Sequence, residues 1–148
     1  MQVIKFDYYS DVYTQKGDRI VSYIVDRPKI PIRLNYNHHQ SKTPVLCLLD
    51  SGADNDLFPA HMGETVGIDI LKFPKYTTKG IGNSPPIDTY RVNNVKLIIG
   101  YEIKPDRIIT VNIDFSFCHN VPLLGREGFF KFFNNISFIK NSSVELHF

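Results

Sequence analysis

The sequence predicts an all-β, mainly strand-built fold, and two observations support this prediction. Eleven phenylalanines, eight tyrosines, nine glycines and nine prolines stand among the 148 residues, and such a composition favours pleated strands and tight turns over long helices. The apolar runs are also of strand length rather than helix length. With 43% hydrophobic and 22% charged residues, the chain has the size and composition of one folded domain.

The first third of the sequence is typical of strands separated by turns. Residues 3–9 and 19–25 flank a Gly-Asp turn signal, which predicts a hairpin. Apolar and polar residues alternate over residues 30–37, as in a half-buried strand. A polar turn then leads into the apolar run 45–49, which predicts a buried strand.

The later residues continue this pattern and add two helices. Residues 59–66 predict a short helix, because Pro is tolerated in the first turn of a helix. Residues 126–133 predict a second one, since three phenylalanines share one of its faces. Strand signals lie in the hairpin 75–99, in the alternating segment 108–117 and in the terminal segments 136–139 and 144–148.

Composition and charge exclude several functional classes. A formal net charge of +2 with scattered Lys and Arg argues against nucleic-acid binding, and no apolar run reaches the roughly 18 residues of a membrane-spanning helix. Two cysteines make neither a disulfide framework nor a zinc site, so we expect no metal and no cofactor. Acidic residues stand at the N-terminus where a signal peptide needs an apolar core, which predicts a cytoplasmic protein.

A candidate catalytic carboxylate follows the strand predicted at 45–49. The sequence there is Leu-Leu-Asp-Ser-Gly-Ala-Asp, and its first carboxylate is Asp50. A carboxylate at the end of a buried strand costs free energy unless something uses or satisfies it, although Asp, Ser and Gly are also ordinary turn residues. A second segment, Val-Pro-Leu-Leu-Gly-Arg at 121–126, again runs from an apolar strand into a turn.

Together these segments resemble the retropepsin-like (retroviral-type) aspartic peptidases. In that family an apolar strand leads into Asp-Thr/Ser-Gly-Ala, and a later apolar strand ends in Gly-Arg before a helix. The resemblance covers residues 27–133, so we expect one domain over 1–148 with a hairpin extension (1–26) and C-terminal strands (134–148). It implies a closed β-barrel with a flap hairpin and one short helix near the C-terminal third, and endopeptidase activity without a cofactor.

The chemistry of such a peptidase requires two carboxylates that share a proton, so that one acts as base toward water and the other as acid. This chain has one Asp-Ser/Thr-Gly triplet, and it therefore supplies one catalytic carboxylate, Asp50. A two-fold homodimer, in which each subunit contributes its own Asp50, is expected to complete the pair.

The resemblance also implies roles for the neighbours of the catalytic residue. Ser51 would hydrogen-bond across the dimer, Gly52 would allow close backbone approach, and Ala53 would pack beneath the site. Asp54 would hold the substrate main chain and form an ion pair with Arg126. We expect this pair to be partly buried and to act as a structural lock.

Residues 76–90 correspond in order to the flap hairpin of the family, with Gly80, Ile81 and Gly82 near its tip. Asn-Ser-Pro-Pro at 83–86 replaces the family's glycine-rich continuation, and an ordinary surface hairpin is the alternative interpretation. The pocket walls implied by the same resemblance are all apolar, which predicts hydrophobic side chains beside the scissile bond, with core packing as the alternative for each; they are Leu57, Ile81, Val121 and Leu123.

Two other functions remain open for the sequence. One is a retropepsin-fold module that dimerises or binds peptides without catalysis, because a fold alone does not establish a function. The other is a latent or self-processed enzyme in which residues 1–26 act as a cover or as an added dimer strand. A homodimer and a peptide or protein substrate are the partners expected from the main interpretation.

Overall fold

Strands dominate the computed structural model, which describes residues 2–80, 82–101 and 107–148. Strands account for more than half of the described residues and helical segments for few of them, which confirms the prediction of a mainly β fold. Within these ranges the helical segments are α1 (Ala60–Glu64) and the 3₁₀ turns Ile70–Lys72 and Phe130–Phe132. The strands are β1 (Val3–Asp7), β2 (Tyr9–Gln15), β3 (Val21–Arg27), β4 (Lys29–Tyr36), β5 (His39–Gln40), β6 (Val45–Leu49), β7 (Asp56–Pro59), β8 (Lys75–Thr78), β9 (Ile87–Ile99), β10 (Arg107–Ser116), β11 (Leu123–Leu124), β12 (Asn135–Ile139) and β13 (Ser143–His147).

Six strands close into a barrel in the compact unit formed by residues 30–132. Their order is β4, β6, β11, β7, β10 and β9, and β9 returns to β4 through pairs such as Ile32 with Ile99 and Leu34 with Leu97. β5 and β8 add to β4 and β9 at the two ends of this order. The predicted closed β-barrel is therefore confirmed.

The barrel core accounts for the apolar alternation along β10. Val111, Ile113 and Phe115 are buried, and the Phe115 ring meets the Phe58 ring of β7 edge to face, with 6.3 Å between centroids. Asp114 is also buried, which the alternation does not predict. Because successive side chains of a strand point to opposite faces, Asp114 lies on the face away from the Phe58 and Phe115 rings.

Residues 1–29 and 133–148 form a second compact unit. In it, β1, β13 and β12 make a three-stranded sheet, where Ile4 pairs with Leu146 and both side chains are buried. β2 and β3 form a separate antiparallel hairpin. This division does not test the expected single domain over residues 1–148, which stays a prediction.

The N-terminal hairpin was predicted with the wrong first strand. Residues 3–7 pair with β13 near the opposite end of the chain, and the hairpin begins only at Tyr9. Local alternation identifies a strand but carries no information about a partner so distant in sequence. Burial of Ile4 against Leu146 gives β1 its apolar contact in that sheet.

The helix predicted for residues 126–133 is reduced to the 3₁₀ turn Phe130–Phe132. The backbone N–H of Phe129 donates to the Asp56 carboxylate at 3.1 Å, and the N–H of Phe130 donates to the Gly125 carbonyl at 3.0 Å. These bonds replace the i to i−4 ladder of an α-helix. The helix predicted for residues 59–66 is confirmed as α1.

Gly63 of α1 offers a test of the packing around the buried Phe58 and Phe115 rings. A Cβ at this position would lie 2.9 Å from a Phe115 ring carbon and 2.8 Å from the Ile70 Cδ1 atom. Although Gly→Ala normally stabilises a helix, we expect Gly63→Ala to lower the free energy of unfolding by about 1–3 kcal/mol, because the buried ring has to move. Urea unfolding followed by circular dichroism measures this change.

The matched control is Gly17→Ala, because a Cβ added at Gly17 would meet no atom within 4 Å. It should change the free energy of unfolding by at most about 0.5 kcal/mol. Equal effects of the two substitutions would contradict the close packing at Gly63.

Candidate active site

The loop after β6 holds the Asp50 carboxylate by backbone hydrogen bonds. The Asp50 N–H donates to the Leu124 carbonyl at 3.0 Å, and the Ala53 N–H donates to the Asp50 carbonyl at 3.1 Å, closing a tight turn. The Gly52 N–H donates to Asp50 Oδ1 at 2.9 Å. A Cβ at Gly52 would lie 3.1 Å from the same oxygen, so a larger residue there would crowd the carboxylate.

The Gly-Arg segment lies directly against this loop. β11 runs parallel to β6 with Leu124 beside Leu49. Beyond it, the Arg126 N–H donates to the Ala53 carbonyl at 3.0 Å, and the Glu127 N–H donates to the Asp54 carbonyl at 2.7 Å. The two sequence motifs are thus joined mainly through their main chains.

Gly125 is required by the closeness of this contact. A Cβ at Gly125 would overlap the carbonyl group of Asn55 and would lie 3.0 Å from the carbonyl oxygen of Ala53. Any other residue would push the two segments apart, because backbone atoms cannot move aside as a flexible side chain can.

The ion pair between Asp54 and Arg126 is present, with Arg126 Nη2 donating to Asp54 Oδ1. Its side chains are 71% and 57% exposed, so the expectation of a partly buried lock was wrong for the single chain. An exposed pair contributes at most about 1 kcal/mol. The backbone bonds from residues 126 and 127 hold the loops instead.

Asp56 is the main structural residue that the sequence motifs did not reveal. It is fully buried, and its Oδ1 accepts hydrogen bonds from the N–H groups of Gly125 at 2.7 Å and Phe129 at 3.1 Å. Within the described part of the chain, its Oδ2 has no hydrogen-bond partner. A Cβ at Gly128 would overlap this carboxylate.

The surroundings of Asp56 raise its pKa to about 6, from the ordinary value of 3.8. Desolvation by burial is the largest cause, and the negative charge of Asp114 adds to it. The two backbone hydrogen bonds and the positive charge of Lys131 act in the opposite direction. An acid within the short apolar strand Asp56–Pro59 was the signal in the sequence that could have identified this residue.

A cleft of about 430 Å³ opens beside the Asp50 loop. It brings together several site residues predicted from the sequence, namely Asp50, Gly52, Ala53, Asp54, Leu57, Gly80 and Leu123. Of the other predicted residues that the structure describes, it is not lined by Ser51, Gly82, Val121 or Arg126. Ile81 lies outside the described residues.

Four further residues line the cleft, and they are Asn55, Thr78, Lys79 and Asp114. A polar contribution to the cleft from Asn55 and Asp56 was expected from the sequence, but Asp56 is buried and does not line it. Thr78 is the last residue of β8, and its hydroxyl lies 3.0 Å from that of Thr89 on β9. The connection between these two strands begins at Lys79, so the hairpin borders the cleft. Gly82 within the connection has a φ of 89°, which favours glycine.

A bidentate ion pair stands on the cleft wall. Arg91 Nε donates to Asp114 Oδ1 at 2.7 Å, and Arg91 Nη2 donates to Asp114 Oδ2 at 2.9 Å. The Arg91 guanidinium also lies over the Tyr76 ring, 4.9 Å from its centroid. The hydrogen bond to Asp114 raises the pKa of Arg91, so this cation stays charged at every working pH.

Among the described residues, neither the buried thiol nor a metal-binding cluster gives a second reactive centre. Burial, followed by the nearby charge of Asp56, raises the pKa of Cys47 well above the usual thiol value, which keeps that thiol protonated and unreactive. No cluster of three or more His, Cys, Asp or Glu side chains among residues 2–80, 82–101 and 107–148 could hold a metal ion. No helix in the described ranges is long and apolar enough to cross a membrane.

Comparisons with known proteins found matches among solved structures. No protein-family model and no curated protein matches the chain. Among the solved structures that do match is the EIAV protease in complex with the inhibitor HBY-793, at 24% identity and a TM-score of 0.44. The match covers 68% of this chain and 83% of that chain. The 24% identity and the TM-score of 0.44 are both too low to assign a function to this chain.

Because the pKa of Asp56 is raised, we expect protonation of Asp56 at low pH to increase the free energy of unfolding. The folded state binds the proton more tightly than the unfolded state, so the contribution is fully present below about pH 4 and is lost as the pH rises through about 6. A shift of about two pKa units corresponds to about 3 kcal/mol. We expect the free energy of unfolding to gain this amount between pH 7.5 and pH 4 in the wild type, beyond the gain in Asp56→Asn.

Urea unfolding of both proteins at the two pH values, at one fixed protein concentration, gives the difference. The amide of Asp56→Asn has the same shape and retains an acceptor for the N–H groups of Gly125 and Phe129, but it cannot titrate. The variant therefore separates the effect of the charge from the effect of the packing. Identical pH dependence in the two proteins would contradict the assignment of the buried charge to Asp56.

Proposed function

We propose that this protein is a homodimeric aspartic endopeptidase in which Asp50 from each of two chains activates the attacking water. The observation that carries the proposal is the position of Asp50. Its carboxylate follows a buried strand, is oriented by the Gly52 N–H at 2.9 Å, and borders a cleft of about 430 Å³ beside the hairpin of β8 and β9.

The pairing of the other acids at the cleft supports Asp50 as the reactive carboxylate. Asp54 is bound by Arg126, and Asp114 is bound by Arg91 at both of its oxygens. Asp50 forms no ion pair within the described residues, so it is the carboxylate of this cleft that remains available for proton transfer. A carboxylate pair of the kind that hydrolyses peptides then needs a second copy of Asp50.

The proposed reaction uses the two carboxylates in opposite protonation states. The ionised one takes a proton from water, whose oxygen attacks the carbonyl carbon of the peptide, while the protonated one gives its proton to the carbonyl oxygen. Collapse of the tetrahedral intermediate breaks the C–N bond as the carboxyl that took the water proton gives it to the leaving nitrogen. One hydroxyl of the intermediate returns its proton to the other carboxylate as the new C=O bond forms. The Gly52 N–H keeps the Asp50 carboxylate in one orientation through these steps.

The substrate in this proposal is an extended peptide lying along the cleft. Leu57 and Leu123 line the cleft and would contact hydrophobic side chains beside the scissile bond, while Asp54 would hold the peptide main chain. The hairpin around Gly80 would cover the peptide as a flap and exclude water from the reaction. Ser51 would hydrogen-bond to its counterpart across the dimer.

Cleavage of a diverse peptide library by the wild type and by Asp50→Asn tests this function. The amide cannot act as base or acid, so we expect cleavage to fall by a factor of about 10² to 10⁴. Mass spectrometry identifies the cuts, and the solution mass of each protein gives its oligomeric state. Asp69→Asn is the matched control, because Asp69 is an exposed acid paired only with Lys72 among the described residues, and it should cut like the wild type.

Each alternative gives a different result in this experiment. A dimer that binds peptides but cuts none of them would contradict the peptidase and favour the non-catalytic module. Cuts that persist in Asp50→Asn would place the catalysis elsewhere. Self-cleavage near residue 26 that is absent from Asp50→Asn would add self-processing to the proposed activity.

The pH dependence of cleavage is a further prediction of the shared-proton mechanism. We expect kcat/KM for one cleaved peptide to be highest at acid pH and to decline above neutral pH, because the carboxylate pair must retain one proton. Circular dichroism at each pH separates loss of chemistry from unfolding. Activity that rises steadily above neutral pH would contradict the mechanism.

A further inference from the structure

One part of the cleft wall carries a buried charge beside the apolar side chain of Leu57. We call this region the Asp114 corner, formed by Leu57, Thr78, Lys79 and Asp114, all of which line the cleft. Asp114 pairs with Leu57 across the parallel strands β10 and β7, so the two side chains lie next to each other on the same face. A peptide side chain that reaches Leu57 therefore also meets the Asp114 carboxylate.

The Asp114 carboxylate can still accept hydrogen bonds although Arg91 binds both of its oxygens. A carboxylate offers about four lone-pair positions, and Arg91 occupies one on each oxygen. Asp114 is only 4% exposed, so few water molecules compete for the remaining positions. A donor group of a bound ligand would gain a charge-assisted hydrogen bond there.

The charges around the corner favour a neutral donor over a cation. Arg91 balances the negative charge of Asp114, and the Tyr76 ring covers the guanidinium. Lys79 lines the same cleft, and its positive charge would repel a lysine or arginine side chain of the ligand. A neutral amide or hydroxyl adds no positive charge next to Arg91 and is not repelled by Lys79.

We propose that the Asp114 corner accepts a hydrogen bond from a neutral amide or hydroxyl side chain of the substrate. This inference rests on the proposed peptidase function. Because a two-fold dimer presents the corner twice, it applies to two symmetric positions, one on each side of the scissile bond. At these positions, the preference departs from the hydrophobic one expected along the rest of the wall.

Peptides that differ only at one of these positions test the proposal. A sequence cut in the library serves as parent, with Gln, Met or Lys at the position, since Gln and Met have similar length and differ in the donor. A single charge-assisted hydrogen bond predicts a kcat/KM about tenfold or more higher for Gln than for Met. The Lys peptide should be cut more slowly than the Gln peptide.

The variant that removes the acceptor is the double substitution Arg91→Leu with Asp114→Leu. Replacing both partners leaves no unpaired buried charge, so the fold is expected to survive, and the Met peptide should become the better substrate. The matched control is Lys75→Leu with Asp88→Leu, which removes an exposed ion pair on the same hairpin and should keep the preference for Gln. Asp114→Asn, of the same shape as the wild type, should reduce the ratio of Gln to Met.

The outcomes separate this inference from the function on which it rests. If the wild type makes no cut that is lost in Asp50→Asn, both the peptidase function and the Asp114 corner are overturned. Cleavage that depends on Asp50 but prefers Met or Lys to Gln in the wild type overturns the Asp114 corner alone. A Gln preference that survives both the double variant and Asp114→Asn does the same, because the acceptor is then another group.

Discussion

The buried carboxylate of Asp56 is the interaction on which the candidate site depends. One oxygen accepts the N–H groups of Gly125 and Phe129, and this fixes the turn whose next N–H groups bind the carbonyls of the Asp50 loop. A backbone-to-backbone contact of this kind tolerates no side chain at Gly125. The Asp50 loop is therefore held in place through the buried carboxyl group of Asp56, while the exposed Asp54–Arg126 pair contributes little.

Four acids in or near the cleft differ in the groups that bind them, and they are Asp50, Asp54, Asp56 and Asp114. Asp56 is desolvated and bound by backbone N–H groups, Asp114 is bound by Arg91, and Asp54 is bound by Arg126 at the surface. Each of these three carboxylates therefore already has a bonding partner. Among the described residues, the Asp50 carboxylate is bound only by the Gly52 N–H on one oxygen. This difference in partners, rather than the number of acids, is what supports a separate role for Asp50.

The sequence predicted those features that are encoded locally. The strand before Asp50, the hairpin between residues 75 and 99 and the helix α1 all follow from apolar pattern and turn residues. Asp56 and the Arg91–Asp114 pair were missed, because both depend on strand register and on partners far away in the chain. For the same reason, the partner of β1 was predicted wrongly. A local pattern can mark a buried acid such as Asp56, but it does not show which distant residues that acid will contact.

The pairing of β1 with β13 has a consequence for the order in which the strands can fold. Within the barrel, the pairing of Leu48 with Leu123 spans 75 residues, whereas the pairing of Val3 with His147 spans 144 residues. Closing a longer loop costs more chain entropy before any contact forms. The three-stranded sheet is therefore expected to form after the barrel strands have paired.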